Sequence, residues 1–531
     1  MSSKLAKKAG QLLVIGFDGK SVPSYIKELI HQYHIGGIIL FARNIGTPWE
    51  VLKLTTGLQQ EAKKAGYKHP LLICLDQENG VVRRLGEGTT LLPGSMALGA
   101  TDNPDNAYKI GLATGKELKA LGINWNLAPV ADVNNNPENP VISVRSFGES
   151  PDTVAAFTTA AMKGMQDAGV ATTLKHFPGH GDTAVDSHLD LPVISHSIDR
   201  LQSVELKPFQ TAIEAEADTV MTAHVYFPSI EQEPGIPATL SKKVITGLLR
   251  ERLGFQGVVT TDCMEMNAIA NGIGTEKGAV TAFQAGVDII MVSHTFDRQL
   301  GALNEIIQSI ETGVITESAV DKSIQRINSM KQKYLTWDEL SLVENPTVPE
   351  IVGSKQHQQL AYQVYEESIT IVKNEDIIPL KLTEDKSVLV IQPDNGNTMQ
   401  AEDKSYSNLS LGKAIQEYYP TADIYQLSQQ ITSTEINEII NKSKHYETII
   451  IGTLSVNEGS PQIALVESLV EIHASVIVIA MRSPYDWNYL PGVSAYINTY
   501  EFTYPALQVA AAAVFGKVEV SGKLPVSLKV D

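Results

Sequence analysis

The stretch from Lys175 to His188 holds Lys175, His176, His180, Asp182, Asp186 and His188 within 14 residues, broken by Pro178, Gly179 and Gly181. Proline removes a backbone donor and glycine loosens the chain, so this stretch reads as a loop. One chemistry it offers is proton transfer. Asp186 can accept a hydrogen bond from one nitrogen of His188, fix its tautomer and stabilise the imidazolium formed on taking a proton, which makes a mobile acid/base. The alternative is that His188 only satisfies backbone groups of its own loop. A second chemistry is metal-assisted hydrolysis on His176, His180 and Asp262. His176 and His180 have the i, i+4 spacing but not the helix that makes such a pair good ligands, because Pro178 and Gly179 break the turn between them. Asp262 itself ends the apolar run GVVTT, so a strand delivers its carboxylate either as a nucleophile or metal ligand, or as the N-cap of a following helix. Glu265 fits the completion of such a cap. Cys263 is expected to point away from Asp262 by strand alternation and to serve packing only.

Cations stand near these groups. Arg84, Arg145 and Lys175 can donate to sugar hydroxyls, to a carboxylate or to phosphate, and Asp76 can accept from two hydroxyls. Each can equally belong to a structural ion pair. Their origin at three different strand ends favours a polyhydroxylated ligand. A Schiff-base role for Lys175 would need an apolar pocket to lower its pKa, and the sequence shows none around it.

These residues are positioned by a recurrent pattern. Short Val/Ile/Leu-rich runs alternate with segments of helical period as far as about residue 335, which indicates repeated βα units and a parallel sheet. The expected strands are QLLVIGF, GGIILFA, PLLICLD, WNLAPVADV, ATTLKHF, DTVMTAHVY, GVVTTDCM and VDIIMVSH. Eight such units predict a TIM-like (β/α)8 barrel over residues 1–336, with its working face at the C-terminal strand ends. That face would carry Asp76, Gln77, Glu78, Asn79, Gly80, Arg83 and Arg84 after the third strand, Asp132 and Arg145 after the fourth, the stretch 175–192 after the fifth, His224 after the sixth and Asp262 after the seventh. Residues 337–355 are acidic and proline-containing and read as a linker. Residues 356–531 read as a smaller α/β sandwich, with strands expected at SVLVIQP, ETIIIGTL and ASVIVIAM.

The chain has 531 residues and a formal net charge of −18, which argues against nucleic acid or an anionic membrane as partner. Hydrophobic residues at 43% and charged residues at 19% indicate globular folding, not disorder. Only Cys74 and Cys263 occur, so neither a disulfide framework nor a thiolate cluster is expected. No signal-peptide pattern or membrane span is visible. A cytoplasmic location is therefore expected, with export left open should a leader have been trimmed from the sequence. Nothing in the pattern fixes the oligomeric state.

The strings QLLVIGF, FARNI, DQENGVVRRL, APVADV, RSFGESP, KHFPGHGDTAVDSH and TTDCMEM, with VFGKVEVSGKLPVSL near the C-terminus, resemble glycoside hydrolase family 3 and within it the β-N-acetylglucosaminidases of the NagZ type. The resemblance spans nearly the whole chain and includes the second domain of the longer members. It implies a retaining exo-β-N-acetylglucosaminidase acting on peptidoglycan-derived fragments (muropeptides), a small carbohydrate substrate and no cofactor or metal. By the same resemblance Asp262 is the nucleophile, His188 the acid/base and Asp186 its orienting partner. Asp76, Arg84, Arg145, Lys175 and His176 match sugar-binding positions. The family's Gly-Gly-Arg in the third-strand loop appears here as Asn79-Gly80-Val81. Phosphorolysis by the same site, a metal-dependent barrel hydrolase and a non-catalytic peptidoglycan-binding protein are the alternatives.

Overall fold

A computed structural model of the chain describes residues 3–187, 189–381, 387–394, 402, 410–490 and 492–529. The eight apolar runs form β1 (Leu13–Ile15), β2 (Gly37–Ile39), β3 (Leu72–Leu75), β4 (Trp125–Asn126), β5 (Thr173–Phe177), β6 (Thr219–Thr222), β7 (Val258–Cys263) and β8 (Ile289–Val292). They pair in parallel in the order β4-β3-β2-β1-β8-β7-β6-β5. Isolated parallel bridges Trp125↔Ala171 and Val130↔Lys175 join the two ends of that order into a barrel. Every position of these strands is buried except the last two of β7, because the core lies on one face and helices on the other. Burial on both faces is why the strands read as unbroken apolar runs.

Helix starts are written locally. Thr47, Asn103 and Ser150 each accept a backbone N–H of the first turn, ahead of Pro48, Pro104 and Pro151 at the first helical position. The fourth strand departs from expectation, since only Trp125 and Asn126 of WNLAPVADV are in strand conformation. Pro129 has no N–H for the ladder. The chain nevertheless stays beside β5 through the Ala131 N–H to the Lys175 carbonyl at 2.7 Å.

The second domain is a six-stranded sheet of β9 (Thr370–Asn374), β10 (Val388–Gln392), β11 (Asp423–Gln426), β12 (Thr448–Thr453), β13 (Val476–Ala480) and β14 (Ala495–Asn498), ordered β11-β10-β12-β13-β14-β9. Only β9 is antiparallel, at one edge. Of the four interior strands, β10, β12 and β13 are the apolar runs expected from the sequence, while β14, buried throughout, is an addition to them. The edge strands β9 and β11 carry exposed residues and so lack that signature.

The domains share a core. Leu98, Phe147 and Phe157 of the barrel lie in one buried apolar cluster with Tyr365, Leu411, Ile450 and Leu507 of the second domain. Polar contacts flank it: Glu501 accepts the Gly94 N–H at 2.7 Å, His357 meets Glu117 at 2.7 Å, and Asn134 donates to the Tyr485 hydroxyl at 3.0 Å.

Candidate active site

Asp76, Arg84, Arg145, Lys175, His176 and Asp262, drawn from four separate parts of the barrel, line one cavity of about 380 Å³ at the C-terminal strand ends. The cavity lies where the barrel rule puts it. Lys175 is buried and bridges two carboxylates, Asp76 Oδ1 at 2.7 Å and Glu78 Oε1 at 2.6 Å. Arg84 stands 3.6 Å from the other oxygen of Asp76. Arg145 closes a fork on Glu78, with Nε and Nη2 each donating at 2.8 Å.

Burial alone would raise the Glu78 carboxyl pKa, but the charges of Arg145 and Lys175 against it prevail and hold it well below the usual carboxylate range. Burial likewise works against the Lys175 ammonium, and Asp76 and Glu78 reverse the sign and raise its pKa. A lysine so held is a charged donor, the opposite of what a Schiff-base amine requires. The sequence places Glu78 on the working face but gives it no role there. It sits two residues from Asp76 and its partners stand far off along the chain.

A second network fixes the histidines. Asp132, fully buried, accepts the backbone N–H groups of His176 at 3.1 Å and His180 at 2.7 Å, and meets His176 Nδ1 at 2.8 Å. His180 is engaged at both nitrogens, by Thr183 Oγ1 at 2.8 Å and Ser187 Oγ at 3.0 Å. Burial and the neighbouring His176 push its pKa down to about 4. It therefore stays neutral and acts as a strut of the loop. Among the described residues no three His, Cys, Asp or Glu side chains are grouped as metal ligands.

Asp262 lies within β7, and the next helix, Asn267–Ala270, is preceded by Met266, so the N-cap alternative for Asp262 does not hold. Glu265 serves a different helix from the one expected. Its carboxylate accepts the N–H groups of His294 at 2.6 Å and Thr295 at 3.0 Å, where helix Phe296–Glu311 begins. Cys263 is also a correction: it lines the same cavity as Asp262 and does not face away. The β7–β8 register shifts between Thr260 and Cys263, and the β5–β6 register shifts between Leu174 and Phe177. A register irregularity interrupts the alternation of side chains, which is how the adjacent pairs Asp262/Cys263 and Lys175/His176 all reach one cavity. His224, at the end of β6, is buried and meets the Cys263 carbonyl at 3.0 Å, bracing the end of β7.

His188 lies outside the described residues. Asp186 is buried, and Ser187 lines the cavity that Asp262 lines. The loop is drawn down by Gly181, where a Cβ would stand 1.7 Å from the Val133 carbonyl oxygen. The second domain adds a residue that no barrel motif announces: Glu402 lines the cavity and pairs with the buried Arg482 at 3.2 Å.

Comparison with known proteins agrees with this architecture. Residues 4–330 match the Glycosyl hydrolase family 3 N terminal domain and residues 369–531 the Glycosyl hydrolase family 3 C-terminal domain. The structure of a glycoside hydrolase family 3 beta-N-acetylglucosaminidase from Paenibacillus sp. str. FPU-7 superposes with a TM-score of 0.92 at 40% identity, covering 99% of each chain. Beta-hexosaminidase A of Pseudoalteromonas piscicida is 32% identical over 96% of this chain and 92% of its own. A shorter beta-hexosaminidase of Stenotrophomonas maltophilia (strain K279a) is 36% identical over 53% of this chain and 83% of its own.

Proposed function

The chain belongs to glycosyl hydrolase family 3, and from that premise we propose that it is a retaining exo-β-N-acetylglucosaminidase. The observation that carries this reading is the strand-borne carboxylate of Asp262 in one cavity with Asp76, Arg84, Arg145, Lys175 and His176. The volume of about 380 Å³ is near the lower end of ligand pockets, roughly 300–1,000 Å³, which suits one terminal sugar better than an internal stretch of polymer.

Asp262 attacks the anomeric carbon as the bond to the leaving oxygen breaks, giving a glycosyl-enzyme through an oxocarbenium-like transition state. His188, oriented by Asp186, donates a proton to that oxygen. The resulting neutral imidazole then takes a proton from the water that attacks the anomeric carbon and frees Asp262. An imidazole suits both halves, because its ordinary pKa of about 6.5 lets it exist in either state near neutrality. Asp76, Arg84, Arg145, Lys175 and His176 hold the hydroxyls and the acetamido group. Peptidoglycan-derived muropeptides are the substrate class proposed.

A chromogenic panel of β-N-acetylglucosaminide, β-glucoside and β-xyloside, with and without phosphate, tests this. The expected outcome is preference for the N-acetyl sugar and release of free sugar. A sugar phosphate as product would overturn the hydrolase assignment. The His188→Ala variant is expected to lose roughly 10²–10⁴-fold on poor leaving groups and much less on activated aryl ones, which need little protonation. Equal loss on both would remove the acid role.

A further inference from the structure

A second cavity, of about 460 Å³, opens at the opposite end of the barrel from Asp262. Its wall is made by Lys4, Lys7 and Lys8 of helix Ser3–Gly10, by Gln11 ahead of β1, and by His34 ahead of β2. Tyr67, Lys68 and His69 ahead of β3, and Ile324 and Asn328 of helix Glu317–Tyr334, complete it. Among the described residues no carboxylate lines it, in a chain whose net charge is −18. Lys8 is already committed to Asp321 at 2.6 Å and Glu317 at 3.4 Å. Lys4, Lys7 and Lys68 form no ion pair among the described residues.

Two further features point to a ligand. The Nε2 atoms of His34 and His69 are both buried and without a hydrogen-bond partner among the described residues, while the His34 ring stacks on Tyr67 at 4.5 Å. Behind the wall, Lys331 is 1% exposed, and among the described residues its ammonium meets only the Gln11 side chain, at 3.3 Å. A cation so deep ordinarily has a carboxylate beside it. Burial pushes the pKa of Lys331 down to about 7, and burial together with the lysine charges lowers His34 and His69. The cavity thus presents ammonium groups to a space whose described wall offers amide and hydroxyl oxygens but no carboxylate. Arginine, whose planar fork pairs two-to-two with carboxylates, is absent from the wall, whereas lysines bind phosphate as point charges.

We propose that this basal cavity is a binding site for a small phosphorylated molecule, held by Lys4, Lys7 and Lys68 in a wall that His34 and His69 also line. It is independent of the glycosidase reading. The N-terminal end of a barrel is ordinarily the stabilising end, so a ligand there would act by binding the folded state.

Titration calorimetry with pyrophosphate at low ionic strength, on the full chain, tests the site. The parent is expected to bind pyrophosphate, and the Lys7→Gln/Lys68→Gln double variant to bind it at least tenfold more weakly while cleaving an aryl N-acetylglucosaminide at the parent rate. His69→Leu is expected to weaken binding as well. Absence of binding to the parent in the millimolar range would overturn the proposal, as would equal affinity in parent and double variant, which would move the anion to the cations of the catalytic mouth. Citrate, titrated alongside, is expected to bind more weakly than pyrophosphate, and the reverse order would overturn the phosphate assignment.

Discussion

Glu78 shows how much of the catalytic cavity is electrostatic scaffolding. It neutralises Arg145 and Lys175 together, so both cations can face a neutral sugar without repelling each other. Its removal leaves two buried cations short of their partner. Glu78→Ala is therefore expected to lower stability by about 3–5 kcal/mol, read by urea unfolding at neutral pH. The pH dependence has a definite sign: a depressed carboxyl pKa stabilises fully above the unfolded value of about 4.3 and loses that stabilisation as pH falls toward the folded value. Asp262→Asn keeps the shape of the proposed nucleophile and removes its charge. It is expected to reduce kcat on the order of 10⁴-fold with unfolding unchanged, and activity near the parent's would exclude Asp262 as nucleophile. Asp262 was legible as a strand-ending carboxylate, and Lys175, His176 and Asp186 as part of a dense polar loop. Glu78 was legible as a residue of the working face but not as a scaffold, because an acidic residue two positions from Asp76 looks like any solvated charge until Arg145, 67 positions on, is seen to fork onto it.

The loop after β5 is held by neutral His180 between Thr183 and Ser187 and by Asp132 below. Because its pKa falls to about 4 from 6.5, His180 stabilises the fold fully above pH 6.5, and that contribution drains as pH falls toward 4. Acidification from pH 7 to pH 5 is expected to cost about 2 kcal/mol through this residue. His180→Gln should flatten the unfolding free energy across that window, and an unchanged slope would contradict the assignment. The eight βα units were visible in the sequence because parallel strands buried on both faces leave continuous apolar runs. The register shifts in β5 and β7 were not. They depend on how neighbouring strands pair, and they explain why alternation misplaced Cys263.

The two domains are tied by shared apolar clusters, so they are expected to unfold together, with calorimetric and van't Hoff enthalpies equal. Two separated transitions would mean that the shared core contributes little. Through Glu402 the second domain also reaches the cavity, and Glu402→Gln is expected to raise KM for the N-acetylglucosaminide about tenfold, the worth of a hydrogen bond to a charged group. The eight-stranded barrel, the second α/β sheet and the strand-end carboxylate were written in the chain, because periodicity, capping and turn chemistry act between residues close in sequence. The pairing of Glu78 with Arg145 and Lys175, the entry of Glu402 into the cavity and the gathering of lysines and histidines at the barrel's base came from folding. Each joins groups tens to hundreds of positions apart, and no local rule records which of many similar charges will meet.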